Sequence, residues 1–100
     1  MPKYVMLVNY TDERMRRGSR SQTDPERATQ REDFAKSLGI TSDEEYLTMG
    51  PYDRVAIIDA PNDEAMTKYA LFLGGRGSVR TMTMRAYTRE EEARILDGLP

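Results

Sequence analysis

The sequence predicts an α+β domain of the ferredoxin-like type, β-α-β-β-α-β, with a short C-terminal helix. Three observations carry this. Four strand-like runs and two helix-like runs alternate in that order. Strands two and three are joined only by Gly50-Pro51-Tyr52-Asp53, a set of turn residues that makes them a hairpin. Residues 4–9 and 55–60 are apolar on both faces: Val5 and Leu7 against Tyr4, Met6 and Val8, then Val55 and Ile57 against Ala56, Ile58 and Ala60. A strand apolar on both sides belongs inside a sheet covered on both sides, and the predicted topology puts these two strands at its centre.

Taken in order, the first strand covers about residues 3–10. Residues 11–23 are polar and arginine-rich and read as a loop or a short frayed helix. Thr23 or Asp24 can cap the next helix, Pro25 suits its first turn, and Glu26 completes a capping box on Thr23. That helix runs to Leu38 and stops at Gly39, burying only Ala28, Phe34, Ala35 and Leu38. Residues 45–49 form a short second strand and residues 54–60 the third. Asn62 caps a second helix whose Met66, Tyr69, Ala70 and Leu73 share one face. Gly74-Gly75-Arg76-Gly77 ends it. Residues 78–87 alternate as the last strand, with Arg80, Met82, Met84 and Ala86 on one side and Thr81, Thr83 and Arg85 on the other. Thr88-Arg89-Glu90-Glu91 opens the terminal helix, which carries Ala93, Ile95 and Leu96.

Both main helices of this topology lie on one face of the sheet. The other face then needs a cover from outside, and a second copy of the chain supplies it most simply. Composition points the same way. With 38% hydrophobic and 32% charged residues, the core of residues 1–100, a single domain, is thin, and association is a common source of the missing stability.

Composition also excludes chemistry. There is no cysteine, so no disulfide, thiolate nucleophile or thiolate metal site is available. There is no histidine, which removes the usual imidazole acid–base and the commonest metal ligand. No metal and no cofactor is expected. A net charge of −2 provides no field toward nucleic acid or anionic membrane. No apolar stretch approaches a membrane span, and a cytoplasmic protein is expected.

With the elements in place, one resemblance emerges. Residues 4–9, Tyr46-Leu47-Thr48-Met49-Gly50, Tyr52-Asp53, Ala60-Pro61, Gly77 with Val79-Arg80-Thr81, Arg85-Ala86-Tyr87-Thr88 and Leu99-Pro100 together resemble the GYD domain family, named for the glycine and tyrosine-aspartate that stand here at Gly50 and Tyr52-Asp53. The likeness covers most of the chain, through the order and spacing of its blocks. It implies a bacterial protein whose ferredoxin-like subunits pair into a dimeric α/β barrel, in some cases within larger rings. Residues 11–23 are richer in arginine than the pattern, and residues 39–44 are less apolar than its strand entry.

The candidate site residues are Tyr52, Asp53, Arg80, Met82 and Met84. At a barrel mouth Asp53 is a base or an acceptor for a ligand hydroxyl; as an ordinary hairpin residue it ties the turn, and this is the favoured reading. An arginine in an apolar cleft recognises a carboxylate or phosphate bidentately, whereas at a subunit boundary it forms ion pairs. Met82 and Met84, with Met6 and Met49, line an adaptable pocket or fill core and interface gaps. Tyr4, Tyr10, Tyr46, Tyr69 and Tyr87 read chiefly as packing. The glycine run at 74–77 is no phosphate loop, since it joins a helix end to a strand. Arg14, Arg16, Arg17 and Arg20 read as a solvated loop or an intersubunit contact, with no nucleic-acid module around them.

The resulting expectation is a binding or structural module that partners itself and holds a small organic ligand in a pocket between helices and sheet or between subunits, with no nucleic acid and no membrane among its partners. The alternative is a cofactor-free dimeric-barrel enzyme, of cyclase, isomerase or monooxygenase type, acting on an aromatic or polyketide-like substrate. Asp53 or a tyrosine would accept the proton and Arg80 would stabilise an enolate.

Overall fold

A computed structural model describes residues 1–16 and 25–100. Its elements are β1 (Lys3–Tyr10), α1 (Asp12–Arg16), α2 (Pro25–Ser37), β2 (Ser42–Leu47), β3 (Arg54–Asp59), α3 (Asp63–Gly75), β4 (Val79–Ala86) and α4 (Arg89–Asp97). The strands form one antiparallel-paired sheet in the order β2-β3-β1-β4. This is the expected ferredoxin-like order, with the two doubly apolar strands in the centre.

The register decides which side chains face the helices. Tyr4 lies opposite Ile58 and Arg85, and Met6 opposite Ala56 and Thr83. The core is therefore Tyr4, Met6 and Val8 of β1, Ala56 and Ile58 of β3, Ala60 just beyond it, Ala35 of α2, Ile40, and Met66 and Tyr69 of α3. Phe34, Leu38, Leu73 and Val79 pack around its margin. Tyr69, Ile58 and Met66 are the largest side chains sealed from solvent.

Local sequence explains the element ends. Asn62 Oδ1 accepts from Ala65 N–H at 2.8 Å and starts α3. Thr88 and Glu91 exchange both hydrogen bonds of a capping box at α4. Thr11 starts the short α1, its hydroxyl accepting from Arg14 N–H at 3.3 Å. The expected caps Thr23 and Asp24 lie outside the described residues, as do Arg17 and Arg20.

Two details differ from expectation. The second strand occupies Ser42–Leu47, earlier than residues 45–49, because pairing with β3 begins at Ser42 opposite Asp59. Its polar composition suits a sheet edge, where charged side chains discourage further pairing. The helix α3 also runs through Gly74 and Gly75. It is Gly77, at φ +81°, that takes the left-handed conformation, and a Cβ there would sit 3.1 Å from Glu13 Oε2.

Candidate functional site

The side of the sheet away from the helices carries Val5 and Leu7, Val55 and Ile57, Tyr46, and Met82 and Met84, as the strand register dictates. The four central aliphatic residues are half-buried by their neighbours. Met82 and Met84 are 53% and 45% exposed, and Leu47 and Met49 at the hairpin are more so. Among the described residues nothing covers this face. A contiguous apolar patch of this kind marks an interaction surface. Lys3 and Asp59 bound it with an ion pair at 2.8 Å.

The structure brings some of the sequence candidates together. Tyr52 OH reaches Met82 Sδ at 3.9 Å, so the hairpin turn and the β4 methionines share the open face. Arg80 lies on this face by register, opposite Asn9. Asp53 is separate: its Oδ2 accepts from Tyr10 N–H at 2.8 Å, and its own N–H donates to Val8 O at 2.9 Å. Those bonds fasten the hairpin turn to the end of β1.

Of the two pocket positions expected from the sequence, between helices and sheet or between subunits, the first has a counterpart in the structure. A groove of about 1020 Å³ runs between α3 and β4 on the helix side of the sheet. Its walls include Met66, Ala70 and Leu71 of α3 and Val79, Thr81 and Thr83 of β4. Asp63, Tyr4 and Arg85 close one end, and Gly74, Gly75 and Arg80 lie at the other. The signal for it was present as two consecutive glycines inside a helix.

At the closed end, Tyr4 OH donates to Asp63 Oδ1 at 2.5 Å. Burial pushes the Tyr4 phenol up to about 12, with the bond to Asp63 adding to the rise. Arg85 stacks on Tyr87, 4.5 Å from its ring centre, and on Tyr4 at 5.6 Å. Its guanidinium pairs with Glu91 at 3.1 Å and donates to the carbonyls of Lys3 and Ala86. Arg85 is thus committed to joining α4 to the sheet.

A further polar group sits in the core. Asp43 Oδ2 accepts from Tyr69 OH at 2.9 Å, while Oδ1 is buried with no hydrogen-bond partner among the described residues. Burial raises the Asp43 carboxyl above the usual range, and the nearby Glu45 adds to the rise. Burial likewise raises the Tyr69 phenol. Neither group lines the groove, and their pairing closes the sheet beneath α3.

The terminal helix stands apart. None of its residues is buried, and Ile95 and Leu96, with Leu99 just beyond its end, are each at least half exposed. Among the described residues, no group of three or more acidic side chains is arranged to hold a metal ion. No described helix is long and apolar enough to cross a membrane.

Comparison with known proteins agrees with the geometry. The GYD domain family matches residues 4–96. The chain is 31% identical over 88 residues to the glutamine synthetase and cystathionine beta-lyase binding protein of Thermus thermophilus, spanning 86% of this chain and 88% of that one. No solved structure matches.

Proposed function

Since the chain belongs to the GYD domain family, we propose that it is a cytoplasmic protein-binding module built on a homodimer or a multiple of dimers. The observation that carries the reading is the open sheet face. Its half-buried aliphatic residues and exposed Met82 and Met84 are an interface composition, apolar at the centre with the Lys3–Asp59 ion pair at its edge. A second copy meeting it face to face gives a closed, self-complementary contact, the dimeric barrel expected of the family. The Arg85–Glu91 pair and the capping box tie the start of α4 to the end of β4. In that position Ile95 and Leu96 of α4, with Leu99 just beyond it, are free for another protein. A partner would take them as a helix in a groove.

The similar Thermus protein bears the name of a binding protein for two enzymes. Enzymes of that kind are the partner class we assign to this chain, with glutamine synthetase the first to test. The experiment is titration of purified glutamine synthetase with this protein by sedimentation velocity, using wild type and an Ile95→Asp/Leu96→Asp variant. Co-sedimentation of the wild type that the variant loses supports the assignment. Equal behaviour of the two sinks the role of α4.

A further inference from the structure

We propose that the open sheet faces of two copies meet crosswise, with their strands at nearly a right angle, and that Arg80 of each subunit pairs with Glu44 of the other. The inference rests on the homodimer reading above and adds the contact and the geometry that fix how the two copies sit.

The charges on the face carry the argument. By register the open side bears Lys3, Glu44, Asp59 and Arg80. Lys3 and Asp59 satisfy each other at 2.8 Å. Glu44 and Arg80 are exposed, and neither forms an ion pair among the described residues. Glu44 accepts a hydrogen bond from Tyr46 OH at 3.4 Å on the same face. Because β4 is an edge strand, Arg80 also borders the groove beyond it, but no described acid there pairs with it. Covering the face strands both charges unless they meet, and an unpaired charge in a closed contact is costly. The chain supplies one of each sign.

Their positions are the second observation. Glu44, Ile57, Val5 and Met84 form one row across the four strands, and Tyr46, Val55, Leu7 and Met82 form the next. Glu44 stands on the β2 edge in the first row. Arg80 stands on the β4 edge, one row beyond the second, opposite Asn9. The two are therefore roughly 14 Å apart across the strands and roughly 14 Å apart along them. The midpoint of that diagonal falls between Leu7 and Val55, a cross-strand pair at the centre of the apolar patch.

A two-fold axis through this midpoint, in the plane of the contact and perpendicular to the diagonal, exchanges Arg80 with Glu44 and makes the contact twice. The axis lies about 45° from the strands, so the two sheets cross at about 90°, one of the two ways in which sheets stack. Met82 then covers Val5 and Ile57 of the partner subunit, apolar on apolar. Met84 lies on the axis and meets its own counterpart. An aligned stacking with the axis along the strands instead sets Glu44 against Met84 of the partner subunit and leaves Arg80 without an acid.

Dimer dissociation constants of the full-length protein, from sedimentation equilibrium, test the pairing. Arg80→Glu and Glu44→Arg should each weaken the dimer at least about tenfold. The double variant exchanges the two signs and should recover most of the loss. Both positions are exposed in the single subunit, so far-UV spectra should not change. Cross-linking tests the geometry, since the chain has no cysteine of its own. A short bis-maleimide should join two copies of Met84→Cys in high yield. It should not join Arg80→Cys to itself, yet should join Arg80→Cys to Glu44→Cys in a mixture of the two. Unchanged constants in both single variants overturn the pairing, as does a double variant that recovers nothing, and both results leave the homodimer standing. Efficient joining of Arg80→Cys to itself overturns the crosswise arrangement. A wild-type monomer contradicts the homodimer reading itself, and the pairing with it.

Discussion

The two faces of one sheet are built from the same strands with nearly the same apolar content, and they end in different environments. On the helix side Tyr4, Met6, Val8, Ala56 and Ile58 are almost wholly buried. On the other side Val5, Leu7, Val55 and Ile57 are only half-buried, and Met82 and Met84 are largely open. Alternation along a strand assigns residues to faces but does not supply the cover. Two helices suffice for one face of a four-stranded sheet. The difference teaches that apolar content alone does not bury a face, and it is the observation behind the proposed second copy.

The largest contrast should appear in stability. Ile58→Ala removes a sealed core side chain and should cost about 2–5 kcal/mol, which for a chain of this size lowers Tm by roughly 4–8 °C per kcal/mol. Thermal melts by circular dichroism read this directly. Met84→Asp, on the open face, should leave the far-UV spectrum intact and act on assembly instead. An unpaired charge in a closed interface costs about 3–5 kcal/mol, or roughly 100- to 4000-fold in the dissociation constant. Sedimentation equilibrium measures that shift. An unchanged constant would mean that β4 lies outside the interface.

The next contrast is between two carboxyls that respond to pH with opposite signs. The folded-state value of Asp43 is raised by burial and Glu45, so the fold favours its protonated form. That contribution is full below about pH 3.8, the ordinary value, and is lost as pH rises through the folded value. Asp43→Asn should therefore raise Tm most near neutral pH, and the advantage should shrink on acidification. Glu91 is lowered by the Thr88 backbone N–H and by Arg85. Its contribution holds above about pH 4.5 and is lost as pH falls through the folded value. Melting wild type and both single variants (Asp43→Asn, Glu91→Gln) across pH 3–8 separates the two. The smallest effect should come from Thr88→Ala, which removes a cap worth about 1 kcal/mol of helix stability. It should fray α4 and leave the sheet intact, as amide exchange would show.

Most of the fold was legible in the sequence because it rests on local patterns. The two-sided strands, the Asn62 cap, the Thr88–Glu91 box and the 50–53 turn each carry a short-range signal, and together they fix the order of the strands. The start of β2 was not legible, since Ser42 to Glu45 are polar and become a strand only by pairing with β3. Residues of the site were read unevenly. The spacing of Arg80, Met82 and Met84 put them on one face, and the structure places them there. A pocket between helices and sheet was one of two positions expected, but its lining was not legible because its walls come from α3 and β4, which are separate in the sequence. The buried Asp43–Tyr69 pair was equally hidden, being 26 residues apart in the chain.

The most direct test of the central claim, that the open sheet face is covered by a second copy, is the mass of the wild-type protein in solution by native mass spectrometry. The account predicts a dimer or a multiple of dimers, reduced to folded monomer by Met84→Asp. A wild-type monomer that melts cooperatively would contradict it.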